Sequence, residues 1–247
     1  MSSNHLKMNA DKTQLIQLDT KLQLGKLSFT ELSLLSARVT FSSTVYDLGF
    51  FLNSQLTMKD HVLALCRSCF WQLRLLCLVR LSLTSDTAKT LVHAFISSRL
   101  DYCNNLLHDV SDGLLKKLQA IQNAVARVMS GARMFDHITP VLRHLHWLLV
   151  RQRIKYKLAM TVYKCLHGLA PTYLAVDCLA ISAVAGRRHL RSARIRLLSI
   201  PRTRTMLWTR SFAVTGPVIW NSLPTALRTA TLTLLMFTQH LKTHLFG

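Results

Sequence analysis

Glutamate is almost missing from this chain: Glu31 stands alone among 11 acidic residues that face 31 Lys and Arg, the other acids all being Asp. Glu is an ordinary solubilising residue of helix surfaces, so exposed helix faces here have to be basic or uncharged. Acids stop altogether after Asp177. Gly and Pro are scarce, 8 and 5 in 247 residues, while 50% of the chain is apolar. That composition excludes a disordered polypeptide and can bury one large core or two small ones. The formal charge of +20 and the pI near 10.5 make neutral small-molecule metabolism a poor first reading. Charge is also uneven: residues 1–123 hold 13 basic and 9 acidic side chains, residues 124–247 hold 18 and 2. The second half attracts polyanions or acidic membrane surfaces by charge alone, and nucleic acid is the commoner polyanion.

The six cysteines, at Cys66, Cys69, Cys77, Cys103, Cys165 and Cys178, follow no evenly spaced framework, and no basic-then-apolar leader pattern opens the sequence. An intracellular, reducing setting is expected, with nothing to choose between nucleus and cytoplasm. The longest stretch free of Lys and Arg, Cys165 to Gly186, is interrupted by His167, Gly168, Pro171 and Asp177. It suits a span of about 20 apolar residues poorly, and no membrane helix is expected.

Near-alternation from Lys12 to Leu18, and apolar or β-branched clusters at Arg38–Phe41 and Val45–Leu52 around a Ser42-Ser43 turn, read as short strands. At Thr57 the period changes. Thr57 to Asp60 resembles a capping box, and Val62, Cys66, Cys69, Leu73 and Leu76 then share one helical stripe. Further stripes follow at Ala88, Leu91, Phe95 and Ile96, then at Leu114, Leu118, Ile121, Val125 and Val128 between a Ser111 cap and Gly131. Thr139-Pro140 reads as a cap with proline at the first helical position, and Val150, Ile154, Leu158, Val162 and Cys165 form a stripe ended by Gly168 and Pro171. From Gly186 to Arg210 the chain is Arg-rich, with Arg194 to Leu197 alternating like an edge strand. Gly216-Pro217 and Leu223-Pro224 punctuate the remainder, before a last amphipathic helix over Leu232–Leu245. No internal repeat or low-complexity tract occurs.

Several of these segments resemble, in order, the C-terminal part of the reverse transcriptase of LINE-type, non-LTR retrotransposons of the jockey-like group. Met8–Thr13 resembles the segment after the polymerase active-site hairpin, and Tyr46–Leu52 the last palm strand. Leu91–Asn104, ending Leu100-Asp101-Tyr102-Cys103-Asn104, is the most specific helical motif. Leu118–Ala124 with Arg127, His137–Leu142, Leu145–Leu148, Val150–Ile154 and Cys165–Pro171 resemble the post-palm helices. Leu190–Ala193, Arg210–Phe212, Gly216-Pro217, Trp220–Pro224 and Leu241–Phe246 continue the likeness to the end. Leu149 stands where the family tends to have Pro, and Trp208 where Gly is usual.

The resemblance implies RNA or an RNA–DNA duplex as partner. It also implies a missing palm and fingers polypeptide and, in the intact enzyme, two Mg²⁺ ions on carboxylates that include an adjacent acidic pair. No two acids are adjacent in this chain. The metal ligands are therefore expected to be absent, with no cofactor, no catalytic residue and no polymerisation by this polypeptide alone. Lys12 corresponds to a lysine near the incoming nucleotide in the family, although without metals a solvated lysine at a strand start accounts for it as well.

Candidate phosphate-binding residues fall in three groups. Arg67, Trp71 and Arg74 sit at i, i+4 and i+7, a basic and aromatic face that either tracks a backbone or packs Trp71 under Arg stems. Arg151 and Lys155, Arg153 and Lys157, then Lys164, form two ridges with no acid at i±4 to neutralise them. The acid-free run of Arg187, Arg188, Arg191, Arg194, Arg196, Arg202, Arg204 and Arg210 has the strongest physical case, because guanidinium forks suit bidentate phosphate contacts. Cys66 and Cys69 have CxxC spacing but no second ligand pair, and both lie on the apolar stripe, so they read as buried helix cysteines, not as zinc ligands. His240 and His244 read as helix surface, and no nucleophile motif is present.

The expected architecture is α+β and mostly α. It consists of a strand-containing palm-edge remnant over 1–54, a helical thumb-like bundle over 55–175 and a basic C-terminal module over 176–247. The expected function is a reverse transcriptase fragment that keeps template-primer binding and lacks polymerase chemistry. The alternatives are an inert transposon remnant or a subunit completed in trans.

Overall fold

The computed structural model describes residue 9 and residues 12–19, 21–26, 31–34, 37–183, 196–229 and 231–247. The chain is mostly helical with a small strand-containing part, and it divides into two compact units, residues 1–67 and 68–247. The border between the two units falls inside the helix Lys59–Val79. The described basic residues after 195 belong with the helices that precede them.

In the first unit, β1 (Leu15–Ile16) runs parallel to β3 (Ala37–Ser42), which pairs antiparallel with β2 (Glu31–Leu34). A short helix, α1 (Lys21–Leu24), lies between β1 and β2. β4 (Thr44–Asp47) and β5 (Phe50–Asn53) form a separate antiparallel pair. The Val45–Leu52 cluster is therefore a hairpin and not one strand. Asp47 opposes Phe50 across a two-residue loop in which Leu48 and Gly49 have φ of 45° and 82°, the left-handed pair that matches strand twist. The strand expected over Lys12–Leu18 is reduced to two residues, and β2 gave too weak an alternation to be read in advance.

α2 (Lys59–Val79) begins after Met58, whose φ is 60°. The Thr57–Asp60 capping box does not form. Instead Asn53 receives the Thr57 N–H on its Oδ1 at 2.8 Å and donates its Nδ2 to Thr57 Oγ1 at 2.6 Å and Asp60 Oδ2 at 3.0 Å. Of the stripe expected on α2, Val62, Cys69, Leu73 and Leu76 are buried and Cys66 is half-buried. The segment Lys59–Ser82 is long and apolar enough to cross a membrane by length and composition, its best 18 residues averaging a mean hydropathy of 1.6. Arg67 and Arg74 interrupt it, so it holds no long run free of Lys and Arg.

In the second unit α3 (Ser85–Val92) starts on Thr84, whose side chain accepts the Thr87 N–H, and runs through a wide turn at His93–Ser97 into α4 (Ser98–Asp101). Ala88, Val92, Ile96 and Leu100 are buried at a constant spacing of four. Such spacing drifts around an ideal helix, and the wide turn offsets the drift. Phe95, expected on the buried stripe, is 46% exposed for that reason.

α5 (Asp112–Ser130) buries Leu114, Leu118, Ile121 and Val125, ends on Gly131 at φ 72°, and holds Val128 only half-buried. α6 (Ile138–His144) starts earlier than Thr139-Pro140 suggested, with His137 as cap; Pro140 still lies in the first turn, where its missing N–H costs nothing. α7 (Val150–Leu166) buries all five residues of its expected stripe. Its first N–H is capped from another helix: Gln119 Oε1 accepts from Val150 N at 2.9 Å, while Gln122 Nε2 donates to the Leu148 carbonyl at 2.8 Å.

After α8 (Thr172–Ala175) and α9 (Met206–Thr209), α10 (Phe212–Ser222) lies against α7. Gly216-Pro217 is inside α10 and does not break it. A Cβ on Gly216 would come within 3.1 Å of both Val162 Cγ2 and Phe212 Cε2, so glycine permits the close approach. Trp220 Nε1 donates to the Arg196 carbonyl at 2.9 Å, and Asn221 exchanges two 2.9 Å hydrogen bonds with the Leu198 backbone. α11 (Leu234–Phe246) starts on Thr233, whose side chain accepts the Met236 N–H. Its Phe237 lies 4.4 Å from the Tyr163 ring and 5.9 Å from Trp220, closing the core.

Candidate nucleic-acid interface

The three groups of basic residues have different fates. Arg67, at the end of the first unit, is exposed. Trp71 and Arg74, in the second, are exposed one turn apart, and Trp71 at 58% is not packed under a neighbouring helix. Phe70, Leu75 and Leu78 share that exposed face.

On α7 the ridges are partly neutralised by acids from elsewhere in the fold. Arg151 pairs with Asp112 at the start of α5. Arg153 is half-buried and binds Asp101 through two nitrogens, Nε at 2.8 Å from Oδ1 and Nη2 on Oδ2. Lys157 Nζ donates to the Asp101 carbonyl at 2.6 Å. Lys155 and Lys164 are exposed and make no ion pair among the described residues. The sequence pattern looked only at i±4 neighbours, and acids 39 and 52 residues away are invisible to it.

In the arginine run, Arg187, Arg188, Arg191 and Arg194 lie outside the described residues. Arg196 is exposed in a left-handed turn at φ 49°; the first half of the edge strand expected over Arg194 to Leu197 lies outside the described residues, and the neighbouring Leu198 makes an isolated bridge with Ala180. Arg202 and Arg204 are exposed and, with Trp208, line a cavity of about 680 Å³ whose other wall includes Val176, Asp177 and Val214. Arg210 turns inward: burial lowers its guanidinium below the usual range, partly offset by the Asp109 carboxylate. His108, beside Asp109, is lowered by burial, with Asp109 opposing and Lys155 and Arg210 adding to the shift.

Cys69, Cys165 and Cys178 are buried thiols. Burial, then the adjacent Cys165, pushes the Cys178 thiol up to about 12, so it is protonated and a poor nucleophile at neutral pH. His240, His244 and Lys12 are exposed. Among the described residues no three His, Cys, Asp or Glu side chains are grouped closely enough to hold a metal ion. Asn104, Trp147, Tyr156 and Lys242, none of them a candidate binding residue from the sequence, line a second cavity beside Arg153 and Lys157.

No protein-family profile matches the chain, and neither a curated protein nor a solved structure matches it.

Proposed function

We propose that this chain is the C-terminal fragment of a LINE-type retrotransposon reverse transcriptase that holds RNA or an RNA–DNA duplex by its phosphates and does not polymerise. The ordered motifs from Met8 to Phe246 support the derivation, Leu100–Asn104 most of all. The observation that carries phosphate binding is the acid-free chain beyond Asp177, in which exposed Arg202 and Arg204 line one cavity with an exposed Trp208. Cations release counterions from the strand while an indole stacks on a base. Exposed Lys155 and Lys164, which make no ion pair among the described residues, add charge. Filter binding to an RNA–DNA duplex, run alongside primer extension with Mg²⁺, tests the reading. Binding without extension supports it, and either no binding or unaided extension overturns it.

One observation favours a second reading, an inert remnant whose apolar surfaces have lost their partners. Phe70, Trp71, Leu75 and Leu78 are exposed together on α2, Leu78 at 81%. A gradual melt with aggregation supports the remnant, whereas a cooperative transition supports the binding module.

A further inference from the structure

Met134 and Phe135 stand at the turn between α5 and α6 of the second unit, 79% and 92% exposed. Large apolar side chains on a slack loop would fold back onto the nearest surface. Here the backbone holds them out. Gly131 closes α5 with its N–H on the Arg127 carbonyl at 2.8 Å, and Ala132 N donates to Ser130 Oγ at 3.2 Å. Asp136 Oδ2 then accepts the Arg133 N–H at 2.6 Å, and the Asp136 N–H donates to the Arg133 carbonyl at 3.2 Å. Residues 133 and 136 are tied to each other twice, which leaves Met134 and Phe135 as a two-residue tip ordered before any partner arrives.

The base of this tip is basic. Arg127 Nε donates to the Arg133 carbonyl at 3.3 Å, so its guanidinium lies against the backbone that carries the tip. The Arg133 side chain is exposed beside Met134 in the chain and makes no ion pair among the described residues. Asp136 is the one acid between Asp112 and Asp177, and one of its oxygens is turned onto the Arg133 N–H. Cations behind an apolar tip match a target that is anionic outside and apolar within. A base-paired duplex has that layering, with phosphates outside and base faces between them. A bilayer has it too, but membrane binding scales with buried apolar area, of which two side chains supply little. A base step takes only one or two such side chains.

We propose that Met134 and Phe135 form a wedge that enters a base step of the bound duplex from its minor groove, with Arg127 and Arg133 meeting the phosphates beside it. The inference rests on duplex binding as the function. An A-like duplex offers a wide, shallow minor groove that a short tip reaches, and a deep, narrow major groove that it does not. The wedge reads no base edge. It sorts sites by how easily they unstack, so pyrimidine–purine steps are preferred.

A 2-aminopurine at the central pyrimidine–purine step of a short RNA–DNA duplex tests this, because the base brightens when it loses its stacking neighbour. Saturating full-length chain should raise the fluorescence. Met134→Ser combined with Phe135→Ser should abolish the rise and weaken binding about tenfold, with the slope of log K against log salt unchanged because the phosphate contacts remain. Met134→Ser with Phe135→Trp should keep the rise, since a larger ring still fills the step. Arg133→Gln should do the opposite of the serine change: brightening at saturation is kept and the salt slope becomes shallower by about 0.9. Parent binding without brightening, or brightening that survives the double serine change, overturns the wedge and leaves strand binding standing. No duplex binding at all overturns both. Tip-dependent co-sedimentation with phosphatidylserine vesicles, without a 2-aminopurine response, assigns the tip to a bilayer and overturns the wedge.

Discussion

Arg153 grips Asp101 with both Nε and Nη2, and the same aspartate's backbone carbonyl takes the Lys157 ammonium, so one residue at the end of α4 anchors two cations of α7. Asp101→Asn keeps the shape and removes the counter-charge of a half-buried guanidinium. It should cost about 1–2 kcal/mol, less than a fully buried pair because the Asp101 side chain is 38% exposed. Urea denaturation measures this, and an unchanged midpoint would contradict the anchoring role. Arg153→Gln should lower stability similarly while leaving the salt dependence of nucleic-acid binding as it was.

Gly216→Ala places a methyl 3.1 Å from Val162 Cγ2 and Phe212 Cε2. Overpacking should outweigh the helix-propensity gain of alanine and destabilise by about 1–3 kcal/mol. A thermal melt that rose instead would show that α10 can move off α7 freely.

His61 is buried, stacks on Phe50 at 3.7 Å between ring centroids, and has no partner for Nε2. Burial lowers its pKa below the ordinary 6.5. The unfolded chain therefore binds the proton more readily than the fold, so this contribution is complete above about pH 6.5 and is lost as pH falls below it. His108 shifts the same way. Melting temperature should drop between pH 7.5 and 5.5, and His61→Leu should flatten part of the drop. Equal pH dependence in the two proteins would count against His61.

Much of the second unit was readable because helices announce a buried stripe: the α7 stripe is buried in full and that of α5 nearly so. The β4–β5 hairpin was misread because its loop uses Leu48, a residue with no turn preference, and the α10 interior because Gly216-Pro217 is an ordinary break signal. Cations could be located in the sequence but their state could not. Arg151 and Arg153 find acids 39 and 52 residues away, and Arg210 goes inward. Asn104 carried no signal beyond its place in a family-like motif, since its burial beside Asp101 comes from the fold.

Thiol reactivity should follow burial. Cys77 is exposed and should be alkylated first at pH 7.5, with Cys66 and Cys103 slower and Cys69, Cys165 and Cys178 protected until the chain unfolds. Cys178, pushed up to about 12, should be among the last. Mass spectrometry of a timed iodoacetamide reaction gives the order, and early labelling of Cys178 would contradict the packing of α7 on the segment after α8.

Exposed cations without an acid partner among the described residues are proposed to hold a polyphosphate strand. The salt dependence of binding to an RNA–DNA duplex reads this directly, in the parent chain and in a variant with Lys155, Lys164, Arg202 and Arg204 changed to Gln. Log K should fall steeply with log salt in the parent, and the variant's slope should be shallower by about 0.9 for each phosphate contact removed. A parent affinity indifferent to salt, or a variant with the parent's slope, would contradict it.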